Sequence, residues 1–120
     1  MTSSYERATN VLTNALQAAQ MRQMVLANNV ANANTPGFKR SHVEFEQQLA
    51  KALQEGRDPV AVQPAVVQET NTSLQPDGNN VDMEVEMTEM AQNQIYYAAL
   101  TQQLSSQLAR MRMVIKGSVG

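Results

Sequence analysis

The sequence predicts a mainly α-helical protein in which long N- and C-terminal helices pack as an antiparallel, coiled-coil-like pair. Two observations carry this prediction: apolar residues recur at three- and four-residue steps near both ends, and all four prolines lie in the middle. A short third helix and a loop or small β-hairpin are expected between the long helices. The predicted boundaries, within one domain of residues 1–120, are 3–34, 35–80 and 81–117.

The composition limits the core and excludes several classes of protein. Only 25 of the 120 residues are Val, Leu, Ile or Phe, close to the level of roughly 20% that is typical of disorder, although the net charge is only −2. The absence of cysteine excludes disulfides and thiolate metal sites, and the near-neutral charge argues against a general nucleic-acid binder. No apolar run approaches the roughly 20 residues of a membrane span, and residues 1–7 lack the pattern of a cleavable secretory signal.

The first helix begins with the spacing of a capping box, in which Ser3 and Glu6 satisfy each other's backbone donors. Thr35-Pro36-Gly37 is expected to end it, because the proline ring removes a donor and restricts the residue before it. About 30 helical residues span roughly 45 Å, which is too long for a compact globule of this size. The helix therefore needs a partner along its apolar stripe, which consists of Tyr5, Ala8, Leu12, Ala15, Leu16, Ala19, Leu26 and Val30.

The middle of the chain predicts a second, shorter helix followed by a loop. Residues 41–55 have capping-box spacing at Ser41 and Glu44, and Gly56 is a plausible end of the helix. Residues 56–80 are punctuated by proline and glycine, which indicates a loop with one or two extended pieces or a hairpin. The candidate extended pieces are Val60–Val62 and Val66–Val67.

Nine positions in the last helix step by three and four residues and predict four heptads of a coiled-coil seam. Acidic residues crowd the start of this helix and basic residues its end, which matches the helix macrodipole. Two polar seam positions, Gln94 and Thr101, are expected to weaken the seam while fixing its register. The nine positions are Met87, Met90, Gln94, Tyr97, Thr101, Leu104, Leu108, Met111 and Ile115.

Both long helices present narrow stripes rather than broad apolar faces. An isolated pair of this kind buries too little apolar surface to offset an ordering entropy of about 1–2 kcal/mol per residue. We therefore expect the terminal helices to be marginally stable alone and to become ordered by packing into an assembly.

Two separate motifs resemble the bacterial flagellar axial family, which comprises the rod and hook proteins. The first is LANNVANANTPGFK at residues 26–39, an amide-rich helix end followed by a turn. The second is DGNNVDMEVEM at residues 77–87, which is similar to the start of the last helix in proximal-rod members of the family. The resemblance covers roughly residues 3–55 and 75–117, and the two motifs occur in the family's order.

The resemblance implies a structural role without enzymatic activity, cofactor, small-molecule substrate or nucleic acid. Subunits of this family are exported unfolded through the flagellar type III apparatus and polymerise in the periplasm with copies of themselves and other rod proteins. The implied neighbours at the rod base are the membrane (MS) ring, its adaptor and the export gate. The terminal helices are then expected to line a helical tube that carries torque from the motor to the hook.

The amide cluster at the end of the first helix has two interpretations. It is either a frayed helix end, since asparagine favours caps and turns, or a set of amides that bind neighbouring subunits or nearby backbone. The resemblance favours the second interpretation for Asn28, Asn29, Asn32 and Asn34. Together with the turn at Pro36 and Gly37, an anchoring Phe38 and the nine seam positions, these residues form the predicted assembly surface.

No cluster of residues indicates catalysis or metal binding. His42 is the only histidine, and the methionines at helical spacing are best explained as packing residues. Asp77-Gly78-Asn79 begins like a calcium loop, but Val81 occupies the next ligand position. The alternatives to a rod subunit are a small cytosolic coiled-coil adaptor or secretion chaperone, and an enzyme of an unrecognised kind.

Overall fold

Two long antiparallel helices form the body of the protein, whose computed structural model describes residues 3–119. A two-stranded antiparallel sheet, a short helix and a 3-10 turn lie between them in the chain. The elements are α1 (Ser4–Ala31), β1 (Ser41–Glu44), α2 (Glu46–Gln54), the 3-10 turn (Pro59–Ala61), β2 (Ala65–Gln68) and α3 (Met83–Val119). This arrangement confirms the predicted fold class.

The molecule is a rod-shaped body of 68 × 29 × 15 Å. Its radius of gyration of 18.3 Å exceeds the value of about 14 Å that is typical of a compact domain of 120 residues. The elongation follows from α3, whose 37 residues extend for about 55 Å. The first helix therefore finds its partner within the chain, and both helices remain open to solvent on their outer faces.

The capping box of α1 is present as predicted. Ser3 Oγ accepts a hydrogen bond from the Glu6 backbone at 3.1 Å, and the Glu6 carboxylate accepts one from the Ser3 backbone at 3.2 Å. The helix ends at Ala31, three residues before the predicted boundary. At that point the Asn32 N–H is shared between the carbonyls of Asn28 and Asn29, both at 3.1 Å, so the last turn tightens before Pro36 is reached.

The prediction of a helix over residues 41–55 was wrong for its first turn. Ser41–Glu44 forms β1, and the helix begins only at Glu46. The strand pairs with β2, so that His42 lies opposite Val67 and Glu44 opposite Ala65. Val43 and Phe45 are buried, and Glu44 between them is partly exposed, which is the alternating pattern of a strand. Burial of these two side chains favours the strand over the helix start that the capping-box spacing predicts.

The segment 56–80 contains one of the two predicted extended pieces. Val66 and Val67 lie in β2, but their partner strand is β1 rather than a second strand of a local hairpin. Val60 instead belongs to the 3-10 turn, where its N–H donates to Asp58 Oδ1 at 3.0 Å. An aspartate before Pro59 favours such a turn over extended backbone.

The apolar core is small and lies off-centre, where α1 meets β1 and α2. Its buried members are Ala15, Ala18, Val43 and Phe45, and Leu100 of α3 packs against them. Buried alanines let the two long helices approach closely, but they contribute little apolar area. The thin core predicted from the composition is therefore concentrated beside the sheet, and the far ends of the helices have little of it.

Candidate functional site

Asn79 joins the two sequence motifs at one end of the helix pair. Its side-chain amide is fully buried and donates to the carbonyls of Asn32 at 2.9 Å and Thr35 at 2.8 Å. Its Oδ1 accepts from the Val81 N–H at 2.7 Å. Both carbonyls also accept a backbone N–H within the turn, from Thr35 at 3.1 Å and from Phe38 at 3.2 Å. Asn79 of the second motif therefore adds a second hydrogen bond to each carbonyl and fixes the turn that follows α1.

Asn80 and Asn29 bind the backbone on either side of this turn. Asn80 Nδ2 donates to the Glu69 carbonyl at 2.7 Å, and its Oδ1 accepts from the Arg40 N–H at 2.6 Å. Asn29 makes a two-way bond with the Ser41 backbone, donating to its carbonyl at 2.8 Å and accepting from its N–H at 3.0 Å. Buried amides that satisfy both their donor and acceptor groups in this way specify one geometry.

A buried carboxylate completes this region, which we call the polar junction and define by Asn29, Arg40, Asn79, Asn80 and Glu86. Glu86 of α3 is fully buried, accepts from Asn29 Nδ2 at 3.1 Å and pairs with the Arg40 guanidinium. Because a buried carboxylate is costly without partners, these two donors are what permit Glu86 to lie there.

Arg40 is the positive centre of the junction. Its guanidinium pairs with Glu69 of the strand region, with Glu86, and with Glu89 at 3.2 Å. Burial acts to lower the pKa of Arg40, but the hydrogen bond to Glu86 and the three carboxylates together outweigh it, so the pKa lies above its ordinary value. The side chain stays charged and ties α3 to the sheet.

Two glycines meet where the motifs touch. Gly37 has a positive φ of 73°, and its N–H donates to the Asp77 carbonyl at 3.0 Å. Gly78 has φ of 89°, and a Cβ built on it would lie 3.8 Å from the Gly37 Cα. Lys39 Nζ donates to the carbonyls of Gly78 and Thr72. Residues with a side chain rarely adopt this backbone conformation, which explains the glycine in each motif.

The structure separates the four asparagines that the sequence groups together. Asn29 is buried within the polar junction, while Asn28 and Asn34 are exposed. Asn32 is partly buried, and its amide donates to the Asn28 carbonyl at 2.9 Å and to Asn28 Oδ1 at 2.6 Å. Bonding to nearby backbone is thus present in this chain, and bonding to neighbouring subunits stays a prediction for the exposed members. Pro36 and Gly37 are exposed, and Phe38 is half-buried.

The predicted seam of α3, which we call the α3 stripe, contacts α1 along one flank only. Met90, Leu104 and Met111 are partly buried, and Thr9 of α1 donates to Met111 Sδ at 3.3 Å. The remaining positions of the stripe are exposed, namely Met87, Gln94, Tyr97, Thr101, Leu108 and Ile115.

Polar residues one position away complete the contact between α3 and α1. Glu86, Asn93 and Gln107 are buried, and Asn93 Nδ2 donates to the Ala19 carbonyl at 2.8 Å and to Gln23 Oε1 at 2.9 Å. An apolar heptad pattern cannot detect such positions, because their burial depends on partners elsewhere in the chain. The face of α3 that packs on α1 is therefore rotated around the helix relative to the α3 stripe. This rotation leaves one apolar flank of the stripe exposed to solvent.

An open groove of about 570 Å³ lies between the two helices on this flank. Met24 of α1 and Tyr97 of α3 line it, and Gln20 Nε2 donates to the Tyr97 hydroxyl at 3.4 Å. Asn93 also lines the groove, and its buried Oδ1 has no hydrogen-bond partner among the described residues. Exposed apolar surface next to an unsatisfied buried acceptor is typical of a surface that a further molecule covers.

Sequence reasoning singled out Asn29 but missed the other four residues of the junction, although three of them stand in the second motif. Asn79 and Asn80 carried the family resemblance but were not assigned a role, and Arg40 and Glu86 were not singled out. His42 lies between Glu69 at 3.1 Å and Glu44 at 3.2 Å. The strand conformation of β1 puts Glu44 on the same face as His42, and pairing with β2 brings Glu69 close. Within residues 3–119, no group of three acidic, histidine or cysteine side chains is arranged to hold a metal.

None of the helices described is both long and apolar enough to cross a membrane. The chain's exposed helical surface is instead amide-rich and contains few charges, as the composition indicated.

Comparison with known proteins identifies the family of this structure. The sequence profile of the flagella basal body rod protein family matches residues 10–39, which include the first motif and its turn. Flagellar basal body rod protein FlgB of Bacillus subtilis (strain 168) is 36% identical over 120 residues, covering 88% of this chain and 91% of that protein. The FlgB proteins of Borrelia hermsii (32% identity, 93% and 98% coverage) and Escherichia coli K12 (34% identity, 85% and 88% coverage) are also similar. This chain therefore belongs to the FlgB family of flagellar basal body rod proteins, a family of structural components rather than enzymes.

Proposed function

We propose that this chain is a subunit of the proximal rod that polymerises with copies of itself and with other rod proteins into a helical tube. In this role it is exported without a cleaved signal peptide, assembles in the periplasm, and links the membrane ring and export gate to the distal rod. The polymer then transmits torque through its packed helices. The observation that carries the proposal is the exposed, uncharged flank of the α3 stripe.

The distribution of exposed apolar side chains supports an interaction surface on α3. Fourteen large hydrophobic residues are exposed in the described part of the chain, and nine of them lie on this one helix. A monomeric protein scatters such residues singly, whereas a run of them along one element marks an interaction surface. Residues 90–109 contain no charged side chain at all, so nothing opposes close packing of a neighbouring helix there.

The shape of the subunit supports an open assembly rather than a closed dimer. The groove beside Tyr97 and the exposed Ile95 are different surfaces of one molecule, because positions two residues apart on a helix point about 200° away from each other. When a surface contacts a different surface on its neighbour, the contact repeats without closing and produces a helical filament. Small and amide side chains along the groove allow helices to approach closely while still offering hydrogen bonds.

The polar junction supports a subunit that orders in place. It fixes the geometry at one end with hydrogen bonds that need no neighbour, whereas the far ends of the long helices lie away from the small core. A chain of this design can pass unfolded through a pore, form the junction after release, and complete its helices as it joins the polymer.

A charged substitution in the α3 stripe tests the proposal. In cells that lack their own copy of the gene, Leu108→Glu is expected to abolish motility and to remove the chain from purified basal bodies. The matched control is Ala109→Glu, because Ala109 is also exposed but lies about 100° further around the helix. We expect the control to be incorporated normally.

Two results would contradict the proposal. One is normal motility with Leu108→Glu, which would mean that this flank has no neighbour in the rod. The other is a purified wild-type chain that is a stable, fully helical closed dimer, which would favour a coiled-coil adaptor or secretion chaperone instead.

A further inference from the structure

The charges of α3 are confined to its two ends and have opposite signs. Acidic residues occupy the first two turns and basic residues the last three described turns, with an uncharged segment of 20 residues between them. That segment spans about 30 Å. The charged side chains of the helix are Glu84, Glu86, Glu89, Arg110, Arg112 and Lys116.

The acidic end is only partly neutralised within the chain. Arg40 pairs with Glu86 and Glu89, but Glu84 is exposed and takes part in no ion pair among the described residues. Beside it lie two exposed apolar side chains, Met83 (41% exposed) and Met87 (59% exposed). This end therefore presents negative charge together with apolar surface.

The basic end has the complementary composition. Arg110, Arg112 and Lys116 are exposed, and none of the ion pairs found between residues 3 and 119 involves them. Met113 (71% exposed) and Val114 (51% exposed) lie among them. The helix macrodipole accounts for the sign of the charges at each end, but it does not account for exposed apolar residues beside them at both ends.

We propose that the two ends of α3 are the two halves of one contact between successive copies of this chain, the basic end of one copy packing on the acidic end of the next. The occupant of each end is thus the opposite end of a second copy. The inference rests on the proposed function and deepens it by naming the residues that join subunits head to tail. Apolar burial supplies the attraction, and the opposite charges fix the direction of the chain.

The geometry of α3 makes this contact open-ended. Glu84 and Arg112 are 28 residues apart on one straight helix, which corresponds to about 42 Å. The two half-sites therefore cannot meet within one molecule, and each copy leaves one half-site available for another. An in-register antiparallel pair of α3 helices would satisfy the same charges, but it would close as a dimer.

Cysteine cross-linking in assembled basal bodies separates these arrangements, because the natural chain has no cysteine. The double variant Met83→Cys/Met113→Cys is produced in cells lacking the gene, and a short bis-maleimide is applied to purified basal bodies. A head-to-tail contact yields a ladder of cross-linked oligomers of this chain. The matched control, Leu53→Cys/Met113→Cys, carries its second cysteine at a more exposed position, on α2, and is expected to yield no ladder.

Other outcomes have distinct meanings. Cross-linked dimers from Met83→Cys or Met113→Cys alone would show like ends in contact and overturn the inference. A variant that is present in basal bodies but gives no ladder would also overturn it, while leaving the proposed function intact. Absence of the wild-type chain from basal bodies would overturn the proposed function itself, and the head-to-tail contact with it.

Charge reversal provides a second test that needs no cross-linker. Arg110→Glu/Arg112→Glu makes both ends acidic, and Glu84→Lys places a positive charge at the exposed, unpaired position of the acidic end. Each variant alone is expected to be incorporated at least about tenfold less than wild type, and producing both together is expected to restore incorporation, since the two can alternate. Reversal of the exposed α2 charge, Lys51→Glu, is the control and should have no effect. Failure of the mixture to recover would contradict the contact.

Discussion

The polar junction and the outer faces of the long helices are built in opposite ways. In the junction, Asn29, Asn79 and Asn80 are buried, and both the donors and the acceptors of their side chains are bonded within the chain. Along α3, by contrast, Met87 and Leu108 are exposed and the groove beside Tyr97 is open. The polar groups of the junction are satisfied within a single chain. The outer face of α3 has the composition of an interface but contacts no other element among the described residues.

The difference indicates which residues determine the folding of the chain and which determine its assembly. Polar groups that must be satisfied internally define the turn and the angle at which α3 leaves it. Weakly apolar, uncharged faces leave the final packing to neighbouring molecules. Substitutions in the junction should therefore affect the folding of the chain, whereas those on the outer face should affect assembly with little effect on folding.

The largest effect is expected from Glu86→Gln, which leaves Arg40 without its most buried partner. Breaking a buried charge pair costs about 3–5 kcal/mol, and the remaining partners Glu69 and Glu89 place this change at the lower end. The free energy of unfolding, measured by hydrogen exchange at the Ser41 and Val81 amides, should fall accordingly. Glu84→Gln, on the exposed side of the same helix, is the control and should change it by less than about 0.5 kcal/mol.

Asn79→Ala is expected to have the next largest effect. It removes two hydrogen bonds to the end of α1 and leaves the buried Val81 N–H without its acceptor, at a cost of about 2 kcal/mol. The exchange rates of the Ala33 and Thr35 amides report the loosened turn. Asn71→Ala, at an exposed loop position, should leave them unchanged. Equal effects of the two substitutions would show that the turn does not depend on the second motif.

Gly37→Val should cost about 1–2 kcal/mol, because a β-branched residue is strained at the positive φ of this position. Pro36→Ala is expected to be nearly neutral. Proline is exposed there, and α1 already ends at Ala31. This refines the expectation from sequence that Thr35-Pro36-Gly37 ends the first helix. Loss of motility with Pro36→Ala would indicate instead that the proline is needed to end α1.

The smallest effect on the chain itself is expected from Gln94→Leu and Thr101→Leu. Both positions are exposed, so the unfolding free energy should stay within about 0.5 kcal/mol and the helix content by circular dichroism should not change. Their effect should appear instead in assembly, as an altered register between subunits. Unchanged rod length and motility would contradict a role of these polar positions in register.

The helices could be predicted from sequence because their signals are local. Residues 3–6 show a capping box, and α3 shows a heptad pattern, so the type and approximate length of both long helices follow from neighbouring residues. The start of β1 could not be predicted in this way. Its partner strand lies more than twenty residues further along the chain, and pairing with that strand overrode the local cap at Ser41.

The candidate site was predictable to a similar extent. Some positions of the α3 stripe face α1 and the others face solvent. Which positions face α1 depends on Glu86, Asn93 and Gln107, which are polar and buried. Their burial is set by partners such as the Ala19 carbonyl and Arg40, which are distant in sequence. A pattern of apolar residues does not identify those partners, which are known only from the three-dimensional structure.

Hydrogen exchange on the isolated and the assembled chain tests the contrast between the two regions most directly. In dilute solution, the amides of Ser41 and Val81, which donate to Asn29 and Asn79 of the junction, are expected to exchange more slowly than the amides of residues 100–115. In purified basal bodies, residues 100–115 should become protected while the junction changes little. Uniform protection of both regions in the dilute chain would contradict the account, since α3 would then be complete without its neighbours.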